Sequence, residues 1–233
     1  MDRLLLVRVE GKQGDGAILL TPELLVERRL LLRASSTANT RRAEQLLGLP
    51  QALYFYVGWA NPRFGDMAFL FTVDLIDDHA GTATPFDSGG LAANLVKHES
   101  SDPPAAYFRD HAILLNQLRT AAPAFLAKYF ASPKSYLTGA RPLEDDPSGR
   151  LHHPENSPRY PWTWELQIYE DHPVDRHLHR AVLGPDKYEA VAALAADAGW
   201  ASLLDRLERV DGPVEEVCRR AEKEVVRFHE HGP

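Results

Sequence analysis

The 233-residue sequence predicts an α+β fold with a mixed, split β core and a helical C-terminal third. Short runs in which apolar and polar residues alternate predict strands through most of the chain. About the last fifty residues show helical spacing instead. Strands and helices do not alternate regularly, which disfavours a doubly wound parallel sheet. Because no internal repeat or sharp boundary is visible, residues 1–233 are expected to form a single domain.

Composition and charge narrow the class of protein. The hydrophobic content of 44% and the charged content of 25% are typical of soluble globular proteins. The formal charge of −7 and the occurrence of arginines in pairs give no support to nucleic-acid binding. A single cysteine, Cys218, excludes a disulfide framework. No apolar run is long enough for a membrane span or a signal peptide, so the cytoplasm is the expected location.

Turn and cap residues divide the N-terminal half into elements. Thr21 followed by Pro22 has the form of an N-cap with proline at the first helical position, and Gly48 is expected to end a helix. Residues 77–90 are small and polar and are predicted to form a long loop. The predicted strands are 4–9, 17–20, 29–35, 53–58 and 66–75, and the predicted helices are 22–27 and 40–47.

The C-terminal half combines helices, two strands and a proline-rich segment. Residues 132–159 contain five prolines and are predicted to be the most mobile internal segment. Pro123 is expected to break or kink a helix, and Cys218 falls on the apolar face of the last helix, so we expect it in the core. The predicted helices are 91–96, 104–130, 185–198, 200–210 and 213 onward, and the predicted strands are 162–169 and 179–183.

One glutamate lies in the middle of an aromatic-rich strand. By alternation Glu165 shares a face with Thr163, whereas Trp164 and Leu166 project to the other face. Glutamate is depleted in strands. Its carboxylate therefore faces either open water or a polar cleft, and two further strands with polar faces favour the cleft.

Those two strands carry Arg33 with Ser35 and Tyr54 with Tyr56, each pair on one face. An arginine binds a phosphate through two parallel hydrogen bonds, and a tyrosine stacks on a flat ring. A carboxylate such as that of Glu165 stabilises positive charge that develops on a ribose. If the three strands line one cleft, its side chains match NAD as the ligand.

Three stretches carry a resemblance to a known family. Residues 32–36, the helix that ends at Gly48 and the strand with Tyr54 and Tyr56 are similar to the opening of the DNA-targeting ADP-ribosyltransferase toxins. Residues 164–168 are similar to the neighbourhood of the catalytic glutamate of these enzymes. The chain departs from the family at Thr163, because neither Gln nor Glu lies two residues before Glu165. That departure disfavours arginine as the acceptor.

The resemblance implies an activity and a set of site residues. It implies that residues 1–233 form one ADP-ribosyltransferase-like domain, which uses NAD as a substrate and transfers ADP-ribose to an acceptor that the sequence does not identify. It implies that Glu165 is catalytic and stabilises the ribosyl cation. The NAD-binding residues that it implies are Arg33, Ser35, Tyr54, Tyr56 and Thr163.

Two alternatives stay open at this point. In a hydrolase, Ser88 would be the nucleophile with His79 and Asp87 as its partners, although the chain lacks a Gly-x-Ser-x-Gly elbow. In a non-enzymatic binding module, the cleft would be vestigial. A zinc site at His177 and nearby histidines has neither cysteine partners nor helical spacing to support it, so no metal is expected.

Overall fold

A computed structural model describes residues 4–11, 20–33, 38–88, 104–138 and 163–231. The helices are α1 (Pro22–Arg28), α2 (Ala38–Leu47), α3 (Pro104–His111), α4 (Leu118–Tyr129), α5 (Pro133–Leu137), α6 (Pro185–Asp197), α7 (Ala201–Leu204) and α8 (Val214–His231). The strands are β1 (Leu5–Glu10), β2 (Leu30–Leu31), β3 (Leu53–Val57), β4 (Met67–Thr72), β5 (Gly81–Thr84), β6 (Ile113–Leu114), β7 (Glu165–Ile168), β8 (His172–Pro173), β9 (Leu178–Leu183) and β10 (Leu207–Arg209).

The main sheet has eight strands in the order β10-β9-β4-β1-β3-β7-β5-β6. Its neighbours pair in antiparallel fashion except β9 and β10, which are parallel and are joined through α6 and α7. Strands β2 and β8 form a separate two-stranded sheet. This arrangement confirms the predicted α+β class with its mixed β core and helical C-terminal third.

The core lies on both faces of the central strands, because β1, β3 and β4 are buried along nearly their whole length. On one face Phe55 and Phe71 pack edge to face, with ring centroids 5.6 Å apart. Helix α8 packs against β1, β4 and β9 through apolar residues at helical spacing that include Val225 and Phe228. Cys218 is buried in this helix as expected, and burial raises the pKa of its thiol to about 12.

Helix caps that the sequence predicts are present. The Thr21 side chain accepts a hydrogen bond from the Leu24 amide at 3.2 Å, and Pro22 occupies the first turn of α1. Helix α2 is followed by Gly48 with φ of 69°, a left-handed conformation that favours glycine. Both helix ends are therefore encoded by local sequence.

The strand predicted at 29–35 is much shorter in the structure. Only Leu30–Leu31 pair, and their partner is the short strand β8, not the main sheet. Arg29 adopts φ of 53° before the strand, and Arg33 lies beyond its end. The alternation argument that placed Arg33 on a strand beside Tyr54 is therefore wrong, since that argument needs a continuous extended segment.

Three other predicted boundaries are wrong, each where partner strands decide the conformation. The loop predicted at 77–90 contains β5, which pairs with β6 and β7. The helix predicted at 104–130 is interrupted by β6 and not at Pro123, which is exposed inside α4, where water can hydrogen-bond the carbonyl that a proline leaves unpaired. The helix predicted at 200–210 ends at Leu204, and β10 follows.

Parts of several predictions lie outside the described residues. These are the strand at 17–20, the helix at 91–96, Ser35, and residues 139–159 of the proline-rich segment. The beginning of that segment forms α5, where Tyr136 is buried. Within the described ranges, none of the helices combines the length and apolarity that crossing a bilayer requires.

Gly81 provides a test of the pairing between β5 and β7. A Cβ atom at this position would lie 2.2 Å from the Gln167 carbonyl oxygen and 2.9 Å from Leu115 Cδ1. The oxygen belongs to the neighbouring strand, so relief of the clash requires separation of the two strands. We expect Gly81→Ala to lower the free energy of unfolding in urea by about 2–3 kcal/mol.

Gly184→Ala is the matched control for this change. Gly184 has φ of −63°, and the nearest atom to its added Cβ is the movable Asp66 carboxylate at 3.2 Å. The loss there should stay below about 1 kcal/mol. Equal losses in the two variants would show that the tight β5–β7 contact does not exist.

Candidate functional site

Polar side chains occupy one face of the sheet where β3, β7 and β5 lie side by side. Residues paired across neighbouring strands project to the same face, so the register aligns two rows of polar residues. The first row is Tyr56, Glu165 and Thr84, and the second row is Tyr54, Gln167 and Thr82. The sequence placed Tyr54, Tyr56 and Glu165 in one cleft, and the structure brings them together on one face.

Glu165 is at the centre of these rows and is only 1% exposed. Its Oε1 atom accepts hydrogen bonds from the Ser88 backbone N–H at 3.1 Å and from Gln167 Nε2 at 2.8 Å. The Ser88 hydroxyl donates a third, short hydrogen bond to the same oxygen. Ser88 comes four residues after the end of β5 at Thr84, so the chain that leaves this strand fixes the carboxyl on the neighbouring strand β7.

The electrostatic environment favours the neutral form of this carboxyl. Burial and, second, the negative charge of Asp87 raise the pKa of Glu165 to about 8, although hydrogen bonds from Ser88 and Gln167 oppose the change. The ordinary value is 4.5. The neutral form of Glu165 is therefore favoured at pH 7, in contrast to an exposed glutamate.

Tyr56 lies beside Glu165 and contacts the second carboxyl. It pairs with Glu165 across β3 and β7, and its hydroxyl donates to Asp87 Oδ2 at 3.5 Å. Burial, followed by the charges of Asp87 and Glu165, raises the pKa of Tyr56 well above its usual range, so the phenol stays neutral. Two half-buried rings flank it, Trp59 edge to face at 5.0 Å and Phe64 stacked at 6.2 Å.

The second polar row fixes the orientation of Gln167. Thr82 Oγ1 donates to Gln167 Oε1 at 3.0 Å, so the amide nitrogen must point the other way, toward Glu165 and Thr84. The Tyr169 hydroxyl lies 2.8 Å from Thr82 Oγ1 and extends the row toward the end of β7. A connected hydrogen-bond network of this kind holds the Glu165 carboxyl in one position.

Two of the expected NAD-binding residues have other partners. The Tyr54 hydroxyl donates to Glu44 Oε1 at 3.0 Å, and Glu44 also accepts from the Ala52 amide. Thr163 is fully buried, and its hydroxyl lies 3.3 Å from that of Tyr136 on α5. Neither side chain has a described hydrogen bond to Glu165.

Arg33 lies away from the polar rows, at the far end of β7. Its Nε donates to Asp171 Oδ1 at 3.2 Å and its Nη1 to the Tyr169 carbonyl at 2.8 Å, and its side chain is 40% exposed. Tyr169 follows Glu165 by four residues, which is about 13 Å along an extended chain. Ser35, expected to act with Arg33, lies outside the described residues.

The structure brings together part of the alternative hydrolase set. Ser88 and Asp87 lie beside Glu165, but both ring nitrogens of His79 have other partners. His79 Nδ1 lies 3.3 Å from a Glu170 carboxylate oxygen, and Nε2 lies 2.8 Å from His172 Nδ1. No described contact joins Ser88 to His79. The Ser88 hydroxyl bonds Glu165 instead of the histidine that the expected triad requires.

The histidines considered as zinc ligands also bond to different partners. His177 bonds Asp78, and His179 bonds Glu224 on α8 at 2.8 Å. Burial lowers the pKa of His172 to about 4, and its Nε2 donates to the Arg176 carbonyl. In the part of the chain that the structure describes, no group of three or more His, Cys, Asp or Glu side chains could hold a metal ion.

Sequence reasoning missed several members of the site. Gln167 follows Glu165 at period 2, so alternation already placed it on the polar face, but the sequence did not indicate its hydrogen bond to Glu165. No pattern in the sequence indicated that Glu44 on α2 would bond the Tyr54 hydroxyl. Arg8 on β1 is another buried member, and it donates to the Tyr54 carbonyl at 3.0 Å and pairs with Glu10.

The resemblance to ADP-ribosyltransferases stays a prediction from the short stretches around Arg33, Tyr54 and Glu165. The site offers a buried carboxyl, a second carboxyl and a phenol close together at one sheet face. No family model, curated protein or solved structure matches the chain.

Proposed function

We propose that this protein transfers ADP-ribose from NAD to an acceptor, and that Glu165 with its neighbour Asp87 forms the reactive centre. One observation carries the proposal. A glutamate is buried on a polar sheet face and fixed by Ser88 and Gln167, and its cross-strand neighbour Tyr56 contacts a second carboxyl, that of Asp87. Such a carboxyl is costly to fold and contributes little to packing, so catalysis or binding is its best explanation.

The charge of the substrate explains how Glu165 becomes active. The protonated carboxyl of the free protein is the wrong form to stabilise a cation. The nicotinamide ring of NAD carries a positive charge, and an opposite charge within about 4–6 Å lowers a carboxyl pKa by 1–3 units. Binding of NAD beside Glu165 therefore releases the proton and creates the carboxylate.

The transfer step is balanced without any further reactant. The bond between ribose C1′ and the nicotinamide nitrogen breaks, and its electron pair leaves with nicotinamide, which becomes neutral. The Glu165 carboxylate stabilises the positive charge that grows on the ribose. The acceptor atom then bonds to C1′ and gives its proton to Glu165.

Other described residues fit the remaining parts of NAD. Arg33 is within a dinucleotide's length of Glu165, and its partly exposed guanidinium suits a phosphate. Trp59 and Phe64, half-buried beside Tyr56, offer aromatic surfaces to the nicotinamide ring. In this assignment Tyr54 and Thr163 support the site and do not touch the ligand, because their hydroxyls already bond Glu44 and Tyr136.

The proposal predicts that NAD binds more tightly as pH rises. NAD binds the form of the protein in which Glu165 is ionised. With a pKa of about 8, about a tenth of the free protein is in this form at pH 7. The apparent Kd should therefore fall as pH rises from the pKa of the complex, which is about 1–3 units lower, to about pH 8, and it should level off on both sides of this window. Isothermal calorimetry in buffers of different ionisation enthalpy measures both the Kd and the released proton.

Two variants separate the contributions to this binding. Glu165→Gln should bind NAD with little pH dependence between pH 6 and 9, because no proton is released. Arg33→Ala should bind more weakly at every pH and keep the slope of the wild-type protein. A wild-type Kd that is constant across this range, or absence of NAD binding at millimolar concentration, would contradict the proposal.

One observation favours a second candidate, a serine hydrolase. The Ser88 hydroxyl donates to Glu165, so an ionised Glu165 could take its proton as the serine attacks a carbonyl. The raised pKa argues against this role near pH 7. Ser88→Ala should abolish hydrolase activity. If the protein is a transferase, the same change removes only one hydroxyl donor to Glu165. Covalent labelling of Ser88 by a fluorophosphonate would support the hydrolase alone.

A further inference from the structure

We propose that Tyr169 is a specificity-determining residue whose hydroxyl accepts a hydrogen bond from a hydroxyl group of the nicotinamide ribose of NAD. The inference rests on the proposed function and names the part of NAD that binds between Glu165 and Arg33. Two observations support it, the direction of the hydrogen bonds in the second polar row and the burial of the residues in both rows.

The polar rows are buried at one end and partly exposed at the other. Glu165, Gln167 and Thr84 are at most 1% exposed. Thr82 and Tyr169 are half-buried, so solvent reaches the rows at their end. A ligand that approaches Glu165 along the rows therefore meets Thr82 and Tyr169 first.

The donors and acceptors of the second row fix the direction of its hydrogen bonds. Gln167 Oε1 holds no proton, so Thr82 Oγ1 donates its single proton to that oxygen at 3.0 Å. Thr82 can then only accept from the Tyr169 hydroxyl, which lies 2.8 Å away. A phenol is protonated at neutral pH, and Tyr169 gives its proton to this bond. The Tyr169 oxygen is left with lone pairs that can only accept.

This direction selects the kind of ligand group that Tyr169 can bind. Among the described residues, Thr82 is the only hydrogen-bond partner of the Tyr169 hydroxyl. Because the phenol proton is already donated, a ligand group must bring its own proton, as a hydroxyl or an N–H does. A carbonyl or ether oxygen would place lone pairs against lone pairs.

The neighbours of Tyr169 indicate which hydroxyl groups of NAD fit. The Tyr169 carbonyl accepts from Arg33 Nη1 at 2.8 Å, and the Arg33 guanidinium suits a phosphate. In the other direction, the row of Thr82 and Gln167 lies two residues along β7 from Glu165, which is about 7 Å. The ribose of NAD, with its two hydroxyl groups, lies between a phosphate and the C1′ atom on which Glu165 would act. These hydroxyl groups are therefore the donors that fit Tyr169.

Tyr169→Phe removes the hydroxyl and keeps the ring. In calorimetry this variant should bind NAD about three- to tenfold more weakly than the wild type, the usual range for one lost hydrogen bond. An NAD analogue that lacks both hydroxyl groups of the nicotinamide ribose should bind the wild type more weakly than NAD does. Tyr169→Phe should not weaken binding of the analogue any further, because the variant and the analogue remove the same hydrogen bond from opposite sides.

Tyr188→Phe is the matched control. Tyr188 is also half-buried, but it belongs to α6, which packs against α1, α7 and β10 and not against the polar rows. This change should leave the Kd for NAD at the wild-type value. If Tyr169→Phe fails to fold, acetylation of tyrosine hydroxyls in the wild type replaces it. Mass spectrometry should then show that NAD slows acetylation of Tyr169 and does not slow that of Tyr188.

Several results would overturn the inference. These are an unchanged Kd for NAD in Tyr169→Phe, an equal loss with NAD and with the analogue, an equal loss in Tyr188→Phe, and acetylation of Tyr169 that NAD does not slow. The proposed function can fail in a different way. If the wild type does not bind NAD, both proposals fall, whereas tight NAD binding that Tyr169→Phe leaves intact removes this inference alone.

Discussion

Glu165→Gln should lower the rate of NAD cleavage by about a hundred- to a thousandfold while NAD still binds. Glutamine keeps the size and the hydrogen-bond acceptor of glutamate, so Ser88 can still bond the side chain. It cannot become a carboxylate when NAD arrives, and the charge on the ribose in the transition state then lacks its partner. Single-turnover release of nicotinamide measures the rate, and calorimetry measures the binding.

The pH dependence of folding stability provides a second test of Glu165→Gln. The pKa of Glu165 in the folded protein, about 8, is above its ordinary value of 4.5. Between these values the folded state holds a proton that the unfolded state has lost, so Glu165 makes folding less favourable as pH rises to 8. Glu165→Gln should therefore be more stable relative to the wild type at pH 9 than at pH 5, as thermal unfolding at both pH values would show.

Glu224→Gln is the matched control for the activity measurement. It makes the same change at a fully buried glutamate that belongs to α8 and bonds β9, which three strands separate from β7. It should lose stability and keep its rate of NAD cleavage per folded molecule. Full activity in Glu165→Gln, or an equal loss in Glu224→Gln, would remove Glu165 from the reactive centre.

Glu224→Ala should lower the free energy of unfolding by about 3–5 kcal/mol. The Glu224 side chain is fully buried and pairs with Arg227 at 2.6 Å and His179 at 2.8 Å. Arg220 and Arg180 complete the cluster. Removal of the central carboxylate leaves several positive groups around a buried site without their common partner. Urea denaturation measures the loss.

An exposed ion pair is the appropriate comparison. Glu189 on α6 bonds Arg209, and both side chains are about half exposed or more. Glu189→Ala should cost less than about 1 kcal/mol, because water replaces the lost contact. If the free energy of unfolding fell by the same small amount in both variants, the cluster around Glu224 would contribute no more than an exposed salt bridge.

The Glu224 cluster also contributes to the stability of the fold against acid. Burial alone would raise the pKa of Glu224, but hydrogen bonds from Arg227 and His179 outweigh it and lower the pKa to about 2. A depressed pKa stabilises the folded state above the ordinary value of 4.5 and loses this effect as pH falls toward 2. The difference in stability between the wild type and Glu224→Ala should therefore shrink through this window.

The sequence predicted best those elements whose signal is local. The apolar run of β1, the alternation in β3 and β7 and the caps at Thr21 and Gly48 placed their elements close to the observed bounds. Strands β5, β6 and β10 were missed because each is short and extended only through its partners. For such segments the pairing decides the conformation, and no propensity of the segment itself reveals it.

The same distinction applies to the site. Alternation placed Glu165, Tyr54 and Tyr56 on the polar faces of their own strands, and the pairing of β3 with β7 in the structure makes these one face. The contact of Ser88 with Glu165 spans 77 positions of sequence and depends on how the chain leaves β5. Arg33 was misplaced because the strand that was to carry it ends two residues earlier. Side-chain chemistry could be predicted from the sequence, but long-range geometry could not.

The strand order has a consequence for synthesis of the chain on the ribosome. The central strands β1, β3 and β4 are translated early, but their outer neighbours β7 and β9 come more than ninety positions later. Until those strands emerge, β3 and β4 have unpaired edges and apolar faces that other nascent chains can join. The last third of the chain thus closes the sheet and ends the period in which a chaperone must protect it.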